Sequence, residues 1–396
     1  MASTPEITES LLIKACISES DQLEAAFREF EKFGSLDDLN EGTLRLIPYL
    51  YRRLEKEGIT SQQIGILKGI YTRYWYLHQM FRAKSLNICR DVLKEIPFLV
   101  LKGQAFHSLL YGNDPPTRPG EDTDVLVRIE DRGEALRRFI ASGFQKKVPR
   151  LTRELLTMHP SVSLVRSGVE IDLHWDISPP TAGVDTSKVF FRDAVELAST
   201  SSLFLTASAN HHLAHTLVHG WGRNEVSPIR WVLDAARLVN HPDVDWASFA
   251  ENVNELGWGD VVQMQAHRLR NEHGLAIPPE VIKKIQLLGT GKHEHALTRH
   301  RTLNNGLGKK MSSLLFMRPA FLRSIREAEG RGTGYSLVTV VATSVGGEFY
   351  RGFNFLGSQA KRLSVKWGSM LRKFVSASSE NKKVAEGIPS RGSSKQ

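Results

Sequence analysis

Apolar residues recur every three or four positions between Glu6 and Leu93. Leu23, Phe27, Phe30 and Phe33 make one stripe, Leu44, Ile47, Leu50 and Leu54 a second, and Leu67, Ile70, Tyr71, Tyr74 and Leu77 a third. That period predicts helices burying one face. The pattern then changes. Pro97 to Leu101 is a short apolar run bounded by Pro and Gly, which suits a buried strand. Lys102-Gly103 follows, and Gln104 to Tyr111 reads as a helix. Gly112 to Glu121 holds three prolines and two glycines and reads as a loop. Asp122 to Ile129 reads as a strand, and Glu130 to Ser142 as a helix stopped by Gly143. Ser161 to Arg166 and Val169 to Trp175 flank Ser167-Gly168, a hairpin signal. After Pro179-Pro180 the spacing is helical again, over Ala207 to Trp221, Pro228 to Asn240, Trp246 to Glu255 and Val261 to His273, with helices expected to continue to about Leu363.

The predicted class is α+β: a small mixed β-sheet core over residues 96–180, a helical region before it (1–95), a helical domain after it (181–357) and a basic tail (358–396). The chain has 396 residues, 41% hydrophobic and 24% charged, ordinary for a globular protein with a full core. Its two cysteines, Cys16 and Cys89, exclude a disulfide framework and read as reduced thiols. The N-terminus lacks the basic start and apolar run of a secretory signal. No apolar stretch approaches the roughly 20 residues of a membrane span, and a cytoplasmic location is expected. The tail carries nine bases against two acids, so seven of the nine net positive charges sit there. It reads first as a solvated disordered end, with nucleic acid or anionic lipid as the partners its charge could reach.

The candidate chemistry lies in two strands. Residues two apart in a strand share a face, with Cα atoms roughly 6.5–7 Å apart, so Asp122 and Asp124 project side by side. Two such charges repel, and a divalent cation relieves them. Asp-x-Asp alone is common at solvated strand edges, but here Val125, Leu126 and Val127 carry the strand into a core. In Val169 to Trp175, Glu170, Asp172 and His174 share a face. Asp172 supplies a third carboxylate, and Glu170 and His174 are candidates to orient it or the substrate. Lys102-Gly103 opens a helix whose free N–H groups suit a phosphate. Lys102 and Arg118 are the cations that could meet a triphosphate. No P-loop pattern occurs.

The run LVLKGQAFHSLLYGNDPPTRPGEDTDVLV, followed by VEIDLHWDIS, resembles the nucleotidyltransferases of the DNA polymerase beta-type superfamily. It is most similar to the bacterial branch called uncharacterised nucleotidyltransferase, or nucleotidyltransferase family 5. Lys102, Gly103, Tyr111, Arg118, Asp122, Asp124, Asp172, His174 and Trp175 follow that branch's order, and the stretch holding Asp234 and Trp246 resembles its helical half. The resemblance implies transfer of a nucleoside monophosphate from an NTP, with Asp122, Asp124 and Asp172 holding Mg²⁺ or Mn²⁺ and Asp172 helping to activate an acceptor hydroxyl. One position departs: the superfamily has Gly-Ser or Gly-Gly where this chain has Gly103-Gln104.

His211, His215 and His219 are spaced i, i+4, i+8, with His212 adjacent. Two His at i, i+4 can bind zinc, but His212 stands where a metalloprotease has Glu. The expected role is a helix packed on the core, its imidazoles hydrogen-bonded there or lining an acceptor pocket, with Asp234 pairing to a His or Arg. Three functional classes follow: a metal-dependent nucleotidyltransferase with an unidentified hydroxyl acceptor (small molecule, peptide or protein), a degenerate nucleotide- or partner-binding protein of the same fold, and a nucleic-acid-directed enzyme recruited by the tail.

Overall fold

The apolar stripes become helices. The computed structural model describes residues 5–288 except 83, 113, 121, 148–159, 178–183, 199–202 and 222–228. The basic tail and the helices expected beyond residue 288 lie outside the described residues. Helices α1 (Pro5–Ile17), α2 (Leu23–Phe33), α3 (Glu41–Leu44), α4 (Ile47–Lys56), α5 (Ile64–Leu77) and α6 (Ser85–Leu93) precede the sheet, with a π-helical turn at His78–Arg82. In α2 the buried face is Leu23, Ala26, Phe27 and Phe30, while Phe33 ends the stripe in solvent.

Seven strands then form one mixed sheet, in the spatial order β3-β4-β5-β2-β1-β7-β6. They are β1 (Phe98–Val100), β2 (Asp122–Val127), β3 (Gln145–Lys146), β4 (Ser161–Arg166), β5 (Val169–His174), β6 (Val195–Ala198) and β7 (Leu203–Thr206). The β4–β5 hairpin turns at Ser167-Gly168, both with positive φ (48° and 79°), as a two-residue turn matching strand twist requires. Asn, Asp and Gly are the residues that most readily take such φ, so Ser167 carries some strain there. At the sheet's centre β2 runs parallel to β5 and antiparallel to β1.

The stretch after Pro179-Pro180, read as helical, re-enters the sheet. β7 pairs parallel with β1 (Leu99↔Leu205, Val100↔Thr206), and β6 forms the far edge. These strands are four residues each and carry no long alternation, so the pairing is dictated by β1's open edge and not by local pattern. Helix α7 (Lys102–Leu109) links β1 to β2, α8 (Arg132–Ala141) follows β2, and α9 (Thr186–Arg192) precedes β6. The last block is α10 (Ala209–Trp221), α11 (Arg230–Val239), α12 (Trp246–Glu255), α13 (Gly259–His273) and α14 (Pro279–Leu288). Asp245 caps α12 by accepting from the Ala247 and Ser248 amides at 3.2 and 3.1 Å.

One hydrophobic cluster joins the first helices, the centre of the sheet and the last helical block. Phe27 and Leu50 from the first helices, Leu99 and Leu126 from the sheet, and Leu213 and Trp258 from the last block belong to a single buried cluster. The described residues fall in one compact unit. Among them no helix is long and apolar enough to cross a membrane.

Helices α10 and α11 meet closely at Gly220. A Cβ there would lie 2.2 Å from the Trp231 ring, so α10 and α11 require glycine at their contact. Gly220→Ala should therefore lower stability by about 1–3 kcal/mol, the usual penalty of overpacking. Urea unfolding checks this, and an unchanged midpoint would show that the Trp231 ring gives way freely.

Candidate active site

Ladder register builds the site. Asp124 lies opposite Asp172 in the parallel β2–β5 pair, and Asp122 lies opposite Glu170 one step along the same face. Ser163 lies opposite Asp172 on the other side. The Lys147 amide donates to Ser163 O at 2.9 Å, which brings Lys147 to the same level of the sheet.

Asp124 is 2% exposed, an unusual place for a carboxylate. Lys102 Nζ lies 2.7 Å from its Oδ1, and His174 Nε2 lies 3.1 Å from the same oxygen. Burial alone would raise its pKa. The Lys102 charge and the His174 hydrogen bond outweigh burial and hold the carboxyl well below the usual range. Lys102 is kept charged in return: burial would lower its ammonium, but the charges of Asp124 and Asp122 raise it.

Asp172 behaves in the opposite way. Burial and the neighbouring Asp124 charge raise its carboxyl, with His174 pulling the other way. Its Oδ1 is buried without a hydrogen-bond partner. One ligand atom each from Asp124, Asp172 and His174 lies within 4.8 Å of the others. An orphaned carboxylate oxygen facing a second carboxylate fits a divalent cation, which prefers oxygen ligands and is often held by one or two carboxylates. Among the described residues this is the group with metal-ligand spacing. It differs from the expected set of Asp122, Asp124 and Asp172: His174 stands within ligand distance, while Asp122 lies one step along beside Glu170.

Lys102 begins α7 with φ 45°, in the left-handed region that costs a non-glycine residue about 1–3 kcal/mol. The Leu101 amide donates to Asp124 O at 3.0 Å, so the last ladder bond and the first helical residue are adjacent. Gly103, next in line, is buried. The Gln104 side chain, which replaces a small residue of the superfamily pattern, turns inward. Its amide reaches the Ser85 and Thr123 hydroxyls at 3.4 Å each, and those hydroxyls hydrogen-bond at 2.7 Å. The departure thus fills a gap between α6 and β2 and leaves the helix start to Lys102 and Gly103.

Two expected partners sit elsewhere. Glu170 pairs with Lys147 at 2.7 and 2.9 Å instead of orienting Asp172. Arg118, expected at a triphosphate, is buried with its guanidinium held by Asp234. Nε is 3.1 Å from Oδ1 and Nη2 2.7 Å from Oδ2, and the Tyr111 hydroxyl donates to Oδ1 at 2.8 Å. The group braces the loop before β2 against α11, the pairing expected for Asp234.

His211, His212 and His215 of α10 pack into the core, while His219, at the end of the predicted stripe, is exposed. The His211 Nδ1 is 2.9 Å from Ser208 Oγ. Thr206 Oγ1 donates to Val100 O at 2.6 Å and so accepts from His212 Nε2–H at 2.8 Å. Phe190 and Phe106 pack on these two rings, with centroids at 4.7 and 4.9 Å. His215 is buried and lies edge-on to Phe190. No metal-ligand group forms on this face among the described residues.

Lys147 and Ser163 carry no motif; only the register across β3, β4 and β5 reveals them.

Clustered carboxylates able to share a cation, beside a helix start that offers N–H groups and a lysine, define a site suited to phosphate esters. The family comparison makes that specific. Residues 43–271 match the family described as uncharacterised nucleotidyltransferase, and the chain belongs to that family. The match takes in helices on both sides of the sheet. No curated protein matches the chain.

Two predictions follow from burial. Asp234→Ala strands the Arg118 charge and should cost about 3–5 kcal/mol in chemical denaturation; a loss below 1 kcal/mol would mean the pair is exposed in solution. Burial pushes the His212 imidazole down to about 3 and that of His211 to about 4, the latter against the Asp193 charge. The unfolded chain takes up these protons near the ordinary histidine value and the native state does not. The stability they confer is therefore present above about pH 6.5 and lost as pH falls through their folded values. His212→Gln should flatten the acid limb of stability by about 1.4 kcal/mol per pH unit, and an identical limb would place His212 in water.

Proposed function

We propose that the chain moves a nucleoside monophosphate from an NTP to a hydroxyl of a small molecule, peptide or protein, with Mg²⁺ or Mn²⁺. The observation that carries this reading is the Asp124↔Asp172 pairing, one carboxylate held ionised and the other with an orphaned buried oxygen. A divalent cation would supply charge neutralisation for the reacting phosphate and departing pyrophosphate, held by Asp124, Asp172 and His174 with Asp122 beside them.

The chain's own residues divide the remaining work. Lys102 and the α7 start at Gly103 bind triphosphate oxygens. Asp124 stays anionic. Asp172, raised by burial and by Asp124, is the better proton acceptor of the two. The acceptor oxygen forms a bond to the α-phosphorus, the bond from that phosphorus to pyrophosphate breaks, and the hydroxyl proton passes to Asp172. The alternative, nucleotide or partner binding without turnover, is favoured by one contact: the Lys102 ammonium already on Asp124.

α-Labelled NTPs incubated with the protein and a lysate of its source organism should place label on one acceptor. Asp122→Asn and Asp124→Asn should abolish labelling with the circular dichroism spectrum retained; a folded Asp124→Asn enzyme that still transfers label would refute the assignment. Asp172→Asn should reduce kcat by on the order of 10²–10⁴-fold with a much smaller change in NTP affinity. Equal losses would remove its role as proton acceptor.

A further inference from the structure

Lys102 does more at this site than a phosphate-binding residue needs to do. Its ammonium is 2.7 Å from Asp124 Oδ1, and that oxygen also takes the His174 contact at 3.1 Å. Across the ladder Asp172 Oδ1 has no donor. Asp122, Asp124 and Asp172 share one face of the ladder, where the Lys102 ammonium is paired with Asp124 and the Lys147 ammonium with Glu170. The tether is also peculiar. Lys102 occupies the left-handed region at φ 45° as the first residue of α7, where glycine would sit without strain. A residue chosen only to satisfy the turn would be glycine. The side chain is 20% exposed, against 3% for that of Asp124.

From these contacts we infer that Lys102 is a tethered place-holding cation: it neutralises Asp124 in the free protein, leaves when divalent metal binds, and is then captured by the triphosphate. The inference rests on the metal-and-NTP reading above and goes beyond it, because it makes the two ligands mutually dependent. Metal alone must displace an ammonium from a buried carboxylate, and like charges cannot share that oxygen at contact distance. Triphosphate alone must take Lys102 from Asp124 and leave a buried charge unpaired. When both arrive, each removes the other's obstacle, so their affinities rise together by one factor, as linkage requires.

The test uses the full chain with Mn²⁺ as probe, its free ion followed by electron paramagnetic resonance. Lys102 reactivity toward an amine-acylating ester is read by mass spectrometry in parallel. In the wild type, Lys102 should acylate slowly without metal, faster by on the order of tenfold with Mn²⁺, and slowly again when a non-hydrolysable NTP is added. Lys102→Met and Lys102→Gly should bind Mn²⁺ roughly tenfold more tightly than wild type without nucleotide, and NTP should tighten Mn²⁺ by a roughly tenfold smaller factor than in wild type. The glycine variant suits the backbone; if neither variant folds, wild-type acylation decides alone. Mn²⁺ binding that Asp124→Asn abolishes, with Lys102 acylation unmoved by metal, overturns this inference and spares the metal site. No Mn²⁺ binding by wild type at any NTP concentration overturns both.

Discussion

A carboxylate almost wholly withdrawn from water, paired with one ammonium at 2.7 Å, sets the terms for everything near it. Removing either partner would leave an unpaired buried charge, so Asp124 and Lys102 constrain each other strongly. The pair also polarises its neighbours. Asp124 remains ionised and by its charge helps raise Asp172 across the ladder. Two carboxylates facing each other across the ladder are thereby given different protonation tendencies.

The fold serves that pair. β2 and β5 are central strands, and their parallel register puts Asp124 against Asp172. β1 ends at the level of Asp124, so the chain must turn at once into α7, and the strained Lys102 is the result. On the far side, α10 is pinned to β1 and β7 through His212, Thr206 and the Val100 carbonyl. The Arg118–Asp234–Tyr111 group anchors the proline-rich loop that delivers β2. These buried polar links are distant in sequence, and the matched family region takes in the helices on both sides of the sheet that they join.

Much of this is legible in sequence where the signal is local. The Asp122-x-Asp124 strand, the Ser167-Gly168 hairpin and the amphipathic stripes each declare themselves within a few residues. What stays hidden is set by tertiary pairing. β7 is a four-residue strand whose partner is β1, about a hundred positions earlier, and β6 pairs with its other edge; nothing in VELA or LFLT announces either pairing. Arg118 reads as a phosphate ligand from its place before the Asp-x-Asp, but a carboxylate 116 residues away claims it. Glu170 shares a face with Asp172 as alternation requires, yet its partner is Lys147, which only the β3–β4–β5 register brings near. Gln104 departs from the superfamily pattern, and its amide turns inward to two buried hydroxyls.

We propose that Asp124 and Asp172 jointly hold a divalent ion at the place where an NTP reacts. Anomalous diffraction from crystals grown with Mn²⁺ and a non-hydrolysable NTP tests it most directly. The predicted result is a manganese peak ligated by carboxylate oxygens of both Asp124 and Asp172 and by a triphosphate oxygen. A peak held by Asp122 and Glu170 without Asp124, or nucleotide bound with no manganese on these strands, would contradict it.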